Sequence, residues 1–125
     1  MSAVNQAKDC YRRNTLPIKS HRAIEYEAIA RISHRMRSSE INKKNSYPEF
    51  VDALSENKKL WTTLVASVAS KDNKLPQDLR ARLLWLGEFV FQEVDKILKT
   101  GGNVDVLIDI NSAILQGLNT KEDTL

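Results

Sequence analysis

The chain has 125 residues and a mass of 14.2 kDa, which fits one domain with one core. Hydrophobic residues make up 42% and charged residues 28%, a composition that excludes disordered and fibrous proteins. The net charge of +3 is unevenly distributed, because residues 1–45 hold ten Lys or Arg against four Asp or Glu. The single cysteine, Cys10, excludes an intramolecular disulfide and a thiolate-rich metal site, so we expect a reducing, cytoplasmic environment.

The N-terminal region is predicted to be an arm followed by a helix. Residues 1–19 lack sustained apolar periodicity and contain Pro17, which disfavours helix just before it, so we expect a flexible arm. From about residue 20 to 42 the apolar spacing is helical. The apolar stripe is narrow, so this first helix should be the least firmly held of the protein. The face that carries the stripe consists of Tyr26, Ile29, Ile32, Ser33 and Met36.

The end of the arm and the first helix carry a candidate basic surface. Its members are Lys19, Arg22, Arg31, Arg35 and Arg37. A surface of this kind attracts RNA, an acidic partner or an anionic surface. The alternative is a solvated face without a partner, which is what charge runs usually form.

Two longer amphipathic segments follow. The second helix is predicted over residues 47–70, where Ser46 and Glu49 have the spacing of a capping box at the start. The third is predicted over residues 76–99, because Pro76 suits a first helical turn. The apolar arc of this third helix is wide, so it should contact at least two other helices.

The last segment begins at a glycine pair, Gly101 and Gly102, which should stop the third helix because glycine readily adopts a left-handed conformation. A fourth helix is predicted over residues 104–118, with residues 119–125 as a polar tail. Four helices joined by short turns pack most simply as an antiparallel bundle. We therefore predict an all-α protein, an antiparallel four-helix bundle, whose single domain spans residues 20–118.

Two asparagines, Asn57 and Asn111, interrupt apolar stripes of the second and fourth helices. A buried amide must find hydrogen-bond partners or cost about 1 to 3 kcal/mol, so the two should pair with each other or with a backbone group. We interpret them as a structural polar core that disfavours wrong helix alignments. A ligand-binding or catalytic role is the alternative.

No arrangement of residues in the sequence predicts catalysis. His21 and His34 lie far apart in a basic stretch, and no Gly-rich phosphate loop occurs. Asp105 and Asp109 lie one helical turn apart, but a hard cation needs about six oxygen ligands, so a solvated face is the simpler interpretation. The longest apolar run, Leu83–Leu86, is far shorter than the roughly 20 residues of a membrane span. We expect a non-enzyme without cofactor, metal or membrane insertion.

The two tryptophans are predicted to differ in environment. Trp61 lies in the centre of an apolar stripe and should belong to the core. Trp85 and Phe89 project toward the polar side of the third helix, where exposed aromatic side chains are candidate anchors for a partner. The alternative is that the first helix or the N-terminal arm covers them.

Several short motifs, in this order along the chain, resemble the FlaF family, flagellin-biosynthesis proteins of flagellated alphaproteobacteria. They are Glu25-Tyr26 with Ala30-Arg31, Asn57 with Leu60-Trp61 and Leu64, Leu75-Pro76 with Leu79-Arg80-Ala81, and Leu107-Ile108-Asp109-Ile110-Asn111 with Gly117-Leu118. Together they span about residues 20–118.

The resemblance implies a cytoplasmic factor for flagellin production and secretion that acts without catalysis and alongside FlbT, a regulator that targets flagellin messenger RNA. We expect a chaperone or adaptor for flagellum assembly that binds flagellin, whose terminal segments are disordered before assembly and helical afterwards. In this hypothesis the first helix shifts and exposes an apolar surface bordered by Tyr26, Ile29, Trp85 and Phe89. The alternative is a post-transcriptional regulator of flagellin expression, in which the basic surface contacts FlbT or flagellin messenger RNA.

Overall fold

The computed structural model describes the backbone of residues 19–124 and the side chains of residues 26–116. This part of the chain forms four helices: α1 (Lys19–Ile41), α2 (Tyr47–Ala69), α3 (Gln77–Thr100) and α4 (Asp105–Thr124). The backbone described contains no strand, so the all-α prediction is confirmed. The predicted flexible arm, residues 1–19, lies outside the described residues except for Lys19, which begins α1.

Most helix ends lie where the sequence predicts them, with two differences. Helix α4 continues from the predicted end at Leu118 to Thr124, so the described part of the expected polar tail is helical. The predicted capping box is wrong, because Ser46 occupies the N-cap of α2 without a side-chain capping hydrogen bond. Its backbone N–H donates instead to the Asn42 carbonyl, 3.0 Å away, and Pro48 lies in the first turn as predicted.

Helix α1 packs against both α2 and α4, and α2 packs against α3. Along α1 and α2 the contacts run in opposite order: Arg31 meets Glu56, while Arg35, one turn later, also reaches Asp52, one turn earlier. The packing is that of a helical bundle. The antiparallel arrangement stays a prediction, which this order of contacts supports.

One apolar core draws on all four helices. Trp61 and Phe50 of α2 are its largest fully buried side chains, and Ile29 and Met36 of α1 are buried with them. The buried members of the cluster are Ile29, Met36, Phe50, Ala53, Leu54, Trp61, Val90, Val94, Ile97, Val104, Leu107 and Ile114. The narrow stripe of α1 is therefore inserted in the core.

The connection between α3 and α4 depends on the glycine pair. Gly101 has φ 84° and Gly102 has φ 135°, backbone conformations that side chains rarely adopt. The Gly101 N–H donates to the Ile97 carbonyl at 2.9 Å and thereby closes the last turn of α3. The predicted glycine stop is confirmed.

Helices α2 and α3 approach most closely at Gly87. A β-carbon placed on Gly87 would collide with the Cγ2 methyl of Val65 and would lie 3.8 Å from the Trp61 ring. The absence of a side chain at Gly87 thus allows the two helices to pack at this distance.

Candidate partner-binding surface and buried polar cluster

An aromatic pair on α3 combines the exposed Trp85 with the half-buried Phe89. Trp85 and Phe89, one helical turn apart, stack with ring centroids 5.8 Å apart and an interplanar angle of 23°. The exposed fraction of Trp85 is 65%, and neighbouring Leu84 is also exposed. We call Leu84, Trp85 and Phe89 the Trp85 patch. Because Leu79, Val90 and other core residues point the opposite way, the patch faces solvent.

The four residues predicted to border a partner surface do not lie together. Trp85 and Phe89 are in contact on α3, whereas Tyr26 and Ile29 lie on α1, which packs against α2 and α4. Tyr26 is partly exposed, but Ile29 is 2% exposed and belongs to the core. Ile29 shares the stripe of Met36, so it faces inward, and it is not part of the surface in this conformation.

Three arginines of the predicted basic surface, Arg31, Arg35 and Arg37, are paired with carboxylates. Arg31 and Arg35 both donate to Glu56 of α2, the Arg31 contact at 3.1 Å. Arg37 donates to Asp105 of α4 at 2.7 Å and to Glu40 at 2.9 Å. Of the two other predicted members, Lys19 and Arg22, only the backbone is described, within α1. Glu56 and Asp105 come from other helices, and the sequence analysis missed their pairs with these arginines.

The position of Glu56 between two arginines affects its acidity. Partial burial raises the pKa of the Glu56 carboxyl, but hydrogen bonds and charges from Arg35 and Arg31 outweigh burial and hold the pKa below its usual 4.5. A carboxylate of this kind stabilises the fold above the pKa of the unfolded chain, and this contribution is lost as pH falls through the folded-state pKa.

We therefore expect Glu56→Gln to reduce the pH dependence of stability below about pH 5. At neutral pH the change should lower the free energy of unfolding by about 0.5 to 1 kcal/mol, a small loss because the ion pair is partly exposed. Urea denaturation between acidic and neutral pH measures this. The matched control is Glu88→Gln on α3, whose partner is the uncharged Gln92. Equal pH profiles for Glu56→Gln and wild type would contradict the role of Glu56.

A buried polar cluster joins the three helices α1, α2 and α4. We use this term for Ser33, Asn57, Trp61 and Asn111. The Asn111 Nδ2 donates to Asn57 Oδ1 at 2.7 Å and to Ser33 Oγ at 3.0 Å, and Trp61 Nε1 donates to Asn111 Oδ1 at 2.9 Å. All four side chains are buried. The two asparagines thus pair with each other, while Ser33 and Trp61 are partners that the sequence analysis did not identify.

One donor of the cluster lacks a partner. Among the buried side-chain atoms described, Asn57 Nδ2 is the one for which no hydrogen-bond acceptor lies in reach. A buried unpaired donor costs about 1 to 3 kcal/mol relative to one that is hydrated. The buried position of Asn57 in the folded protein therefore carries this penalty.

The start of α4 is capped from another helix. Glu40, near the end of α1, accepts a hydrogen bond from the Val104 backbone N–H at 2.8 Å, and Asn103 Oδ1 accepts one from Asp105 N–H at 3.0 Å. A carboxylate at a helix N-terminus pairs a free N–H group and opposes the helix dipole. Because Glu40 is far from Val104 in sequence, local pattern could not reveal this cap.

The two carboxylates of α4 among the described side chains are Asp105, which forms an ion pair, and Asp109, which is exposed. Asp105 accepts from Arg37, and Asp109 lies on the exposed side of the helix. Within the residues whose placement is described, no group of three or more His, Cys, Asp or Glu side chains is arranged to hold a metal ion. In the same part of the chain, no helix combines the length and the apolar character that crossing a bilayer requires.

The family match covers nearly the whole chain. A sequence model of the family described as Flagellar protein FlaF matches residues 7–118. The match begins earlier than the resemblance, which starts at about residue 20, and both end at residue 118. Comparisons with curated proteins and with solved structures found no match. Because the matched range takes in α1, α2, α3 and the motif-bearing part of α4, the chain belongs to the FlaF family of flagellar proteins.

Proposed function

We propose that this flagellar protein binds flagellin and acts, without catalysis, as a cytoplasmic export chaperone or adaptor. The observation that carries the proposal is the exposed Trp85 patch on α3. Exposed apolar side chains that lie together are candidate binding sites, and tryptophan is enriched among the residues that dominate binding energy. The patch is therefore the surface most suited to a protein partner.

The chemistry of the patch fits an amphipathic helix. Trp85 and Phe89 form an apolar strip one turn long on α3, with the exposed Leu84 next to Trp85, and polar side chains such as Glu88 and Gln92 border the strip. An apolar strip of this shape can take the apolar face of a second helix, with the polar border setting its position. The terminal segments of flagellin, disordered before assembly and helical afterwards, have the required character. Covering their apolar faces would delay polymerisation.

The test is calorimetry of the purified protein with unpolymerised flagellin and with flagellin that lacks its terminal segments. We expect saturable binding to the first and none to the second. Trp85→Ala should weaken binding about tenfold or more, because it removes the centre of the patch. Tyr47→Ala is the matched control, since Tyr47 is an exposed aromatic residue on another helix. Binding that survives Trp85→Ala unchanged would remove the patch from the proposal.

The alternative function, a regulator that acts through FlbT or flagellin messenger RNA, depends on free positive charge. Arg31, Arg35 and Arg37 are bound to carboxylates, which leaves less charge available for phosphate groups. This observation favours flagellin binding. Retardation of flagellin leader RNA in a gel at low salt, alone or with FlbT, together with absent flagellin binding, would reverse the preference.

A further inference from the structure

Ion pairs help to hold α1 in the bundle, in addition to its buried Ile29, Ile32 and Met36. Arg31 and Arg35 pair with Glu56 of α2, and Arg37 pairs with Asp105 of α4. These ion pairs are partly exposed, and exposed pairs contribute little and are screened by salt. Part of the attachment of α1 therefore weakens as ionic strength rises.

The contact between α2 and α3 is mainly apolar and includes one exposed ion pair, Lys58 with Asp95. Gly87 of α3 lies against Val65 and Trp61 of α2, and Val90 and Val94 of α3 are fully buried in the core beside them. Burial of apolar surface of this kind is not weakened by screening of charges. Added salt thus acts unequally on the two sides of α2.

The buried polar cluster also favours the departure of α1. Of its hydrogen bonds, only the bond from Asn111 to Ser33 reaches α1, while those joining Asn111 to Asn57 and Trp61 stay within α2 and α4. The Asn57 Nδ2 donor is unpaired while α1 is in place. Opening would let water hydrate this donor. The free energy gained by hydration offsets part of the free energy lost with the apolar contacts of α1.

We propose that α1 is a latch, which detaches from α2 and α4 as a unit while the contact between α2 and α3 stays in place, and that salt promotes this opening in the free protein. The ion pairs at Glu56 and Asp105 close the latch, and the unpaired Asn57 donor lowers the free energy of opening. Opening exposes apolar side chains of α2 and α4 that face Ile29 and Met36 in the closed protein. The latch is a property of the chain alone and does not rest on flagellin binding.

Hydrogen exchange of the full chain, followed by mass spectrometry at about 0.05 M and about 0.5 M salt, tests the latch. We expect the amides of residues 28–38 to exchange faster than those of residues 87–97, and the added salt to accelerate the first group by about threefold or more. Equal exchange of both groups at both salt concentrations would mean that α1 opens only with global unfolding, which overturns the proposal.

Two matched variants identify the contact that closes the latch. Glu56→Gln removes the ion pairs with Arg31 and Arg35. Because the loss of each pair should accelerate exchange roughly twofold, the amides of α1 should exchange about fourfold faster at low salt. Asp95→Asn removes the pair with Lys58 that joins α2 to α3, and should leave α1 exchange unchanged. If α1 exchange is accelerated in Asp95→Asn, or is not accelerated in Glu56→Gln, the ion pairs of α1 do not keep this helix in the bundle. Because no flagellin is present, failure here leaves the flagellin proposal standing.

Discussion

Replacing Asn111 with leucine should lower the free energy of unfolding by about 3 kcal/mol, although the two side chains have similar volumes. The change leaves the Trp61 indole N–H without its acceptor and the Asn57 carboxamide without its donor. Each buried polar group that loses its partner costs about 1 to 3 kcal/mol. The hydrophobic gain from leucine offsets only part of this loss, because the polar partners stay in place.

Urea denaturation followed by tryptophan fluorescence would measure the Asn111 effect. Trp85 is exposed and Trp61 is buried, so a Trp85→Phe background leaves one tryptophan that reports on the core. Gln116→Leu is the matched control, since it makes a comparable amide-to-leucine change at an exposed position of the same helix. A stability for Asn111→Leu equal to that of the control would mean that the cluster does not stabilise the fold.

Replacing Gly87 with valine should also cost about 3 kcal/mol, by forcing α2 and α3 apart. The β-carbon alone would overlap the Val65 methyl, and the two γ-carbons of valine add volume toward Trp61. Overpacking of this kind typically costs about 1 to 3 kcal/mol, which outweighs the gain of a few tenths of a kcal/mol from replacing glycine by valine within a helix. The expected loss lies at the upper end because the side chain that must yield is β-branched and stiff.

Thermal denaturation of two further variants would separate overpacking from helix propensity. Ala81→Val introduces the same residue at an exposed site of α3 and should cost only a few tenths of a kcal/mol. Val65→Ala combined with Gly87→Val should restore at least about 1 kcal/mol relative to the sum of the single changes, because it vacates the space that valine needs. Additive losses would contradict the close approach at Gly87.

The helices themselves follow from local sequence signals. The start of α2 beside Pro48 and the end of α3 at Gly101 are set by residues within the segment, so periodicity and Pro or Gly position identify them. The end of α4 was misplaced because the residues after Leu118 are polar but have no helix-breaking signal.

Of the buried polar cluster and the Trp85 patch, the sequence predicted only those residues whose type is unusual at their position on the helix. Asn57 and Asn111 stand out because an amide within an apolar stripe requires a partner, and Trp85 stands out because it leaves the stripe. Ser33 gives no such signal, since serine is common on any helix, and it meets Asn111 across 78 positions of sequence. The acidic partners of the α1 arginines are likewise fixed by helix packing, which one sequence does not display.

The distance along the chain between α1 and α4 sets the order of assembly during folding. Glu40 and Val104 are separated by 64 positions, whereas Arg80 reaches the Val68 carbonyl of α2 across only 12. Closing a long loop costs more chain entropy than closing a short one, and contacts distant in sequence slow folding. The hairpin of α2 and α3 should therefore form first and act as the template, with the two outer helices joining last. The contact between α1 and α4 is then the last part of the bundle to form.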